Sequence, residues 1–117
     1  MIQAGPLGVH WIADAAGCPP AHLVDAPRIT TLLEALAEVA GLTALGEPLV
    51  RLTSSGLVGV LLLAESHASV HTDREHGTAF VDVFSCVATD TAGLADCVRD
   101  ALAPERLTAR NVPRGPA

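Results

Sequence analysis

At 117 residues the chain is long enough for one hydrophobic core but not for two, and its formal charge of −6 comes from seven basic against thirteen acidic residues. The few basic residues form no cluster that would neutralise phosphates, so a nucleic-acid partner is not expected. Half of the residues are hydrophobic and only 17% are charged, against about 25% in ordinary soluble domains. So short a chain cannot hide that much apolar surface in its own core, and a homodimer is expected to cover the surplus.

No signal peptide is expected in the opening MIQAGPLGVHW, which lacks a basic stretch followed by a long apolar one. The apolar run at residues 57–64 falls far short of the ~20 residues that a membrane helix needs. Three cysteines without CxxC spacing (Cys18, Cys86 and Cys97) argue against a disulfide framework or a zinc knuckle. A cytoplasmic protein with no membrane partner is the expectation.

In chain order, LGVHWIA (7–13) reads as a strand, broken by Gly17 and the Pro19-Pro20 pair. DAPRITTLLEALAEVAG (25–41) is the clearest helix. Asp25 can cap it, Pro27 suits its first turn, Ile29, Leu32, Leu33, Leu36, Val39 and Ala40 make the apolar stripe, and Gly41 stops it. Strand-like runs follow at 42–45, 48–52, 57–64, 68–72 and 78–86, with a turn at Gly77. The run at 57–64 is almost unbroken in apolar residues, so both of its faces are expected to be covered. A second helix starts near Thr91, carries Leu94, Val98, Ala101 and Leu102, and stops at Pro104. RLTAR (106–110) is a last strand, and the proline-bearing tail after it is expected to fray. Runs of strands with only two helices predict an α+β fold: a two-layer sandwich with a largely antiparallel sheet and both helices on one face. The whole chain reads as one domain.

The polar islands carry the chemistry. Ser66 lies between Glu65 and His67, but a hydrolase serine needs a sharp elbow such as GxSxG, and none is present. His67 and His71 would share one face of a strand, as a metal pair might, yet no third ligand is obvious beside them and His76, so no metal is expected. Cys86 ends the apolar run FVDVFSC and taken alone is a packing thiol, as are Cys18 and Cys97.

ESHASVHTDREHGTAFVDVFSC (65–86) closely resembles the processing and active-site segment of the bacterial and archaeal S-adenosylmethionine decarboxylases, small pyruvoyl-dependent enzymes of spermidine synthesis. The likeness rests on Glu-Ser-His, on His-Thr five residues after the serine, and on a cysteine twenty residues after it. GVHWIADAAGC, SGLVGVLLLAESH and the late PRG extend it over roughly residues 8–115.

The resemblance implies that the chain cuts itself between Glu65 and Ser66, into residues 1–65 and 66–117. Ser66 would become a pyruvoyl cofactor that forms a Schiff base with the substrate amine and accepts electrons as the carboxylate leaves. His71 would assist processing by proton transfer, and Cys86 would protonate the product carbon. Glu75 would belong to the substrate pocket. Five residues is an odd spacing, so plain strand alternation puts Ser66 and His71 on opposite faces, and a bend between them is expected.

Five positions depart from the family pattern. Val58 stands where a serine usually helps processing, and Leu52 where a phenylalanine stacks on adenine. Asp73 and Arg74 replace Trp-Pro, and Val87 replaces a glycine. A carboxylate at Asp73 can pair with a cationic substrate group. These changes leave L-arginine or L-ornithine as alternative substrates to S-adenosylmethionine. Val58 also leaves open an unprocessed, non-catalytic relative that regulates an active partner.

Overall fold

The computed structural model describes residues 7–86 and 89–116. Helix α1 (Ala26–Ala40) keeps the limits that its signals set: the Asp25 side chain accepts from the Arg28 N–H, Pro27 sits in the first turn, and Gly41 closes the end in the left-handed region. Its buried stripe is Ile29, Leu32, Leu33, Leu36, Ala37 and Ala40. Ala37 takes the place expected for Val39, which is 41% exposed at the edge of the stripe.

Six strands form one sheet: β1 (Gly8–Ala16), β2 (Leu49–Leu52), β3 (Leu57–Leu63), β4 (Ser66–Asp73), β5 (Thr78–Ser85) and β6 (Arg106–Arg114), in the order β2-β3-β4-β5-β1-β6. Every pairing is antiparallel. Helix α1 packs on β2, β3 and β4, and α2 (Leu94–Leu102) lies beside it over β1 and β6. This is the predicted α+β sandwich with its helices on one face.

Strand β3 corrects one expectation. Leu57, Gly59, Leu61 and Leu63 face the helices and are buried, while Val58 and Leu62 are 42% and 62% exposed on the other side. Both helices sit on the same side, so the apolar residues of β3 have cover on one face only. Gly59 marks how closely that cover lies: a Cβ there would stand 3.0 Å from Leu33 Cδ1 and 3.2 Å from Ile29 Cγ2.

Three boundaries also differ. The run at 42–45 is no separate strand; Ala44 pairs with Leu63 alone, in the lane that β2 occupies further along β3. Pro48, without an N–H, stands just before that lane resumes as β2. The tail does not fray at once, because β6 runs to Arg114 against β1, with Pro113 opposite Val9. An edge strand tolerates proline. Helix α2 starts at Leu94 rather than Thr91.

Thr72 locks the far end of the sheet. Its buried hydroxyl donates to the Leu23 carbonyl (2.6 Å) and accepts from the Leu57 N–H (2.8 Å). A Cβ at Gly56 would lie 2.2 Å from the Thr72 carbonyl oxygen, so only glycine permits this hairpin end.

Candidate active site

Strands β3 and β4 are joined by a tight, exposed turn at Ala64 and Glu65. Glu65 has φ +57, one of two non-glycine residues with positive φ among those described. That conformation costs about 1–2 kcal/mol and falls on the residue preceding Ser66. The Ser66 hydroxyl donates to the Ala64 carbonyl at 3.1 Å, folded back toward the turn. Ser66 pairs with Leu63 on one side and Ser85 on the other, so Cys86, exposed, stands one residue beyond the Ser66–Ser85 pair. Ser66 and Cys86 therefore lie at the same rim of the sheet. Val87 lies outside the described residues.

His71 is not with them. Strand β4 runs unbroken from Ser66 to Asp73, held straight by ladders to β3 and β5, and the expected bend does not occur. Five residues of strand separate Ser66 from His71 by roughly 16 Å. Ala68, Val70 and Thr72 are buried under the helices, whereas His67, Ser69 and His71 lie on the open face. His71 sits directly between Val58 and Phe80 in the register.

Glu75 and Asp73 belong to the far end as well. Glu75 is exposed and lines a cavity of about 470 Å³ with Pro20, Ser54, Ser55 and Arg74. The Asp73 carboxylate is engaged by the His76 ring at 2.8 Å. That hydrogen bond holds the Asp73 carboxyl below its ordinary range and raises the His76 imidazole above its own. Leu52 pairs with Leu57 and so shares the helix-side face, away from His71, although it is 66% exposed at the strand end. A larger cavity of about 590 Å³ opens between the two helices and touches none of these residues.

One cluster has no counterpart in the sequence reading. On the open face, Asp82 accepts from Ser69 and from His10 Nε2, and His67 Nε2 lies 3.5 Å from the same carboxylate. Register explains it, because His10 and His67 both pair with Phe84 from opposite sides. His10, His67 and Asp82 present possible metal-ligand atoms within 4.8 Å of one another. Arg114, however, lies 3.0 Å from His10 Nδ1, and arginine can only donate. His10 Nε2 then carries the proton it gives to Asp82, and its lone pair is not free for a metal. The signal was out of reach for sequence spacing, since His10 and Asp82 lie 72 positions apart. Burial raises the Cys18 and Cys97 thiols above the ordinary value, which suits packing rather than nucleophilic roles.

A family profile described as S-adenosylmethionine decarboxylase matches residues 9–115. This chain belongs to that family. S-adenosylmethionine decarboxylase proenzymes from a Hydrogenobaculum strain and from Aquifex aeolicus are 38% and 37% identical to it over 114 residues, which is 97% of the chain and 85% and 84% of those proteins. The match to the proenzyme of Thermococcus kodakarensis, 36% identical, takes in 74% of the chain and 60% of that protein's length. The crystal structure of the Aquifex aeolicus adenosylmethionine decarboxylase superposes with a TM-score of 0.80 at 32% identity, covering 97% of this chain and 95% of the other. No helix among the described residues is long and apolar enough to cross a membrane.

Proposed function

We propose that this chain is a self-cleaving proenzyme which, once its Ser66 has become a pyruvoyl group, decarboxylates S-adenosyl-L-methionine for spermidine biosynthesis in the cytoplasm. One observation carries the reading: the Glu65–Ser66 link sits in an exposed turn at a left-handed non-glycine residue, in a chain aligned almost throughout with proteins named proenzymes. The relatives' names support this substrate, and nothing in them favours arginine, ornithine or a non-catalytic regulator.

The residues present fit the group. The Ser66 hydroxyl adds to the Glu65 carbonyl carbon, and the C–N bond breaks to give an ester and a free amine. Loss of the Ser66 α-proton and of the ester oxygen leaves a Glu65 carboxylate. Addition of water and loss of ammonia then complete the pyruvoyl end. That group supplies a carbonyl that binds the substrate amine and draws electrons from the bond to the carboxylate. Cys86, beside it, holds a thiol proton for the carbon that has lost carbon dioxide.

His71 serves this chemistry from a second copy. At roughly 16 Å it cannot reach Ser66 of its own chain. Leu49, Val58, Leu62 and Phe80 all stand exposed on the open face, and a second such face is their natural cover. A two-fold axis running between the sheets and across the strands lays the Ser66–Cys86 rim of one copy over the His71–Glu75 end of the other. Each homodimer thus holds two shared sites.

Intact mass after expression tests the reading. The parent separates into residues 1–65 and a pyruvoyl-bearing remainder, while the Ser66→Ala variant stays whole. A parent that stays whole, or a remainder that begins with unmodified serine, refutes it.

A further inference from the structure

We infer that His67 and Asp82 clamp the end of β4 that cleavage sets free, and so hold the group made from Ser66 in place beside Cys86. The inference rests on the function proposed above and names the positioning residues of that site. Before the cut, Ser66 is held by the turn at Ala64 and Glu65 as well as by its ladder partners Leu63 and Ser85. After it, residue 66 is a chain end, and chain ends fray unless something ties them down. Ala68, on the helix side, offers only a methyl group, so the first large side chain after the cut is His67.

His67 is tied twice. Its ring stacks on Phe84, with the centroids 5.9 Å apart and the planes at 29°, and its Nε2 lies 3.5 Å from the Asp82 carboxylate. Asp82 is itself fixed, because Ser69 donates to one of its oxygens and His10 Nε2 to the other. Behind them the Arg114 guanidinium lies 3.0 Å from His10 Nδ1 and 5.9 Å from the centre of Phe84. The cluster thus draws on β1, β4, β5 and β6, and of its members only His10 belongs to residues 1–65. It therefore also ties the two pieces together at the rim where the bond is broken. His10, His67, Asp82 and Phe84 are half-buried and need no access to solvent, so a second copy over the open face leaves the clamp in place.

Position is what such a clamp contributes. The carbon that has lost carbon dioxide takes its proton from Cys86, which stands one residue beyond the Ser66–Ser85 pair. Slack on the order of 1 Å between reacting groups is enough to cost a large factor in rate. The stack on Phe84 and the shared carboxylate act on the residue next to the reacting one, where they limit that slack most. In the uncut chain the turn at Ala64 and Glu65 already does this. The clamp therefore matters only after cleavage, which separates it from an ordinary contribution to the fold.

The test measures amide hydrogen exchange at residues 67–69 in the processed dimer and in the uncleavable Ser66→Ala chain. His67→Ala should speed exchange there about tenfold in the processed dimer and leave the uncleaved chain as it was. Its kcat for S-adenosylmethionine, normalised to pyruvoyl content, should fall about tenfold with KM little changed. Asp82→Ala, which alters β5 but not β4, should do the same, and His67→Phe, which keeps the stack, should recover part of both losses. Unchanged exchange in processed His67→Ala overturns the inference. So does an equal rise in cleaved and uncleaved chains, which would make the cluster part of the fold alone, and so does a loss that sedimentation traces to dissociation of the dimer. A His67→Ala chain that no longer cleaves overturns it too, by assigning His67 to the cut itself. An uncleaved, inactive parent refutes the proposed function, whereas a cleaved, active parent with an indifferent His67→Ala refutes only the clamp.

Discussion

Val58 shows how much one side chain decides. It faces His71 directly across the β3–β4 ladder on the open face, 42% exposed, so a hydroxyl at this position would stand beside the imidazole. Valine offers no such partner, and its neighbour must hold its orientation without it. The Val58→Ser chain should therefore cleave faster, by about tenfold, the worth of one well-placed hydrogen bond of ~1.4 kcal/mol. The ratio of intact to cleaved chain over time after synthesis measures this, and an unchanged or slower rate would remove Val58 from the processing machinery. Asp73 is the opposite case. Its carboxylate is already engaged by His76, so a cationic substrate group would have to displace that ring. Sequence spacing identified a free carboxylate at this position but not its local partner, because the partner is chosen by the turn that folds His76 back.

At the scale of elements, α1 was legible almost to the residue. Its cap, proline, stripe and terminal glycine act within a few positions of one another, so no distant contact is needed to set its limits. The strands were legible as runs, but their ends were not. The run at 42–45 and β2 share one edge lane, and β6 outlasts its proline only because β1 continues alongside. Gly59 joins the two kinds of element, since its missing side chain lets α1 settle onto β3. Gly59→Leu should cost about 1–3 kcal/mol, visible as a lower urea midpoint with little change of slope. A variant as stable as the parent would show that α1 can lift off the sheet without loss.

The whole molecule is where the site is assembled. Ser66 and Cys86 occupy one rim of the sheet, and His71 and Glu75 lie toward the other, so on the proposed function one chain alone holds two incomplete halves. Coexpressing His71→Ala with Ser66→Ala should restore cleavage, and only of the His71→Ala chain, because its Ser66 then meets an intact His71 from the other copy. Continued absence of cleavage in the mixture would place His71 in the same chain as its target and dissolve the shared site. The sequence by itself determined the family, the α+β class and the limits of α1, since all of these are written in short-range spacing and residue type. Only the tertiary structure decided which face lacks cover, that no bend brings His71 back to Ser66, and that His10, His67 and Asp82 converge. Those depend on register between strands far apart in the chain, and register is set by packing across the sheet rather than by any local run of residues.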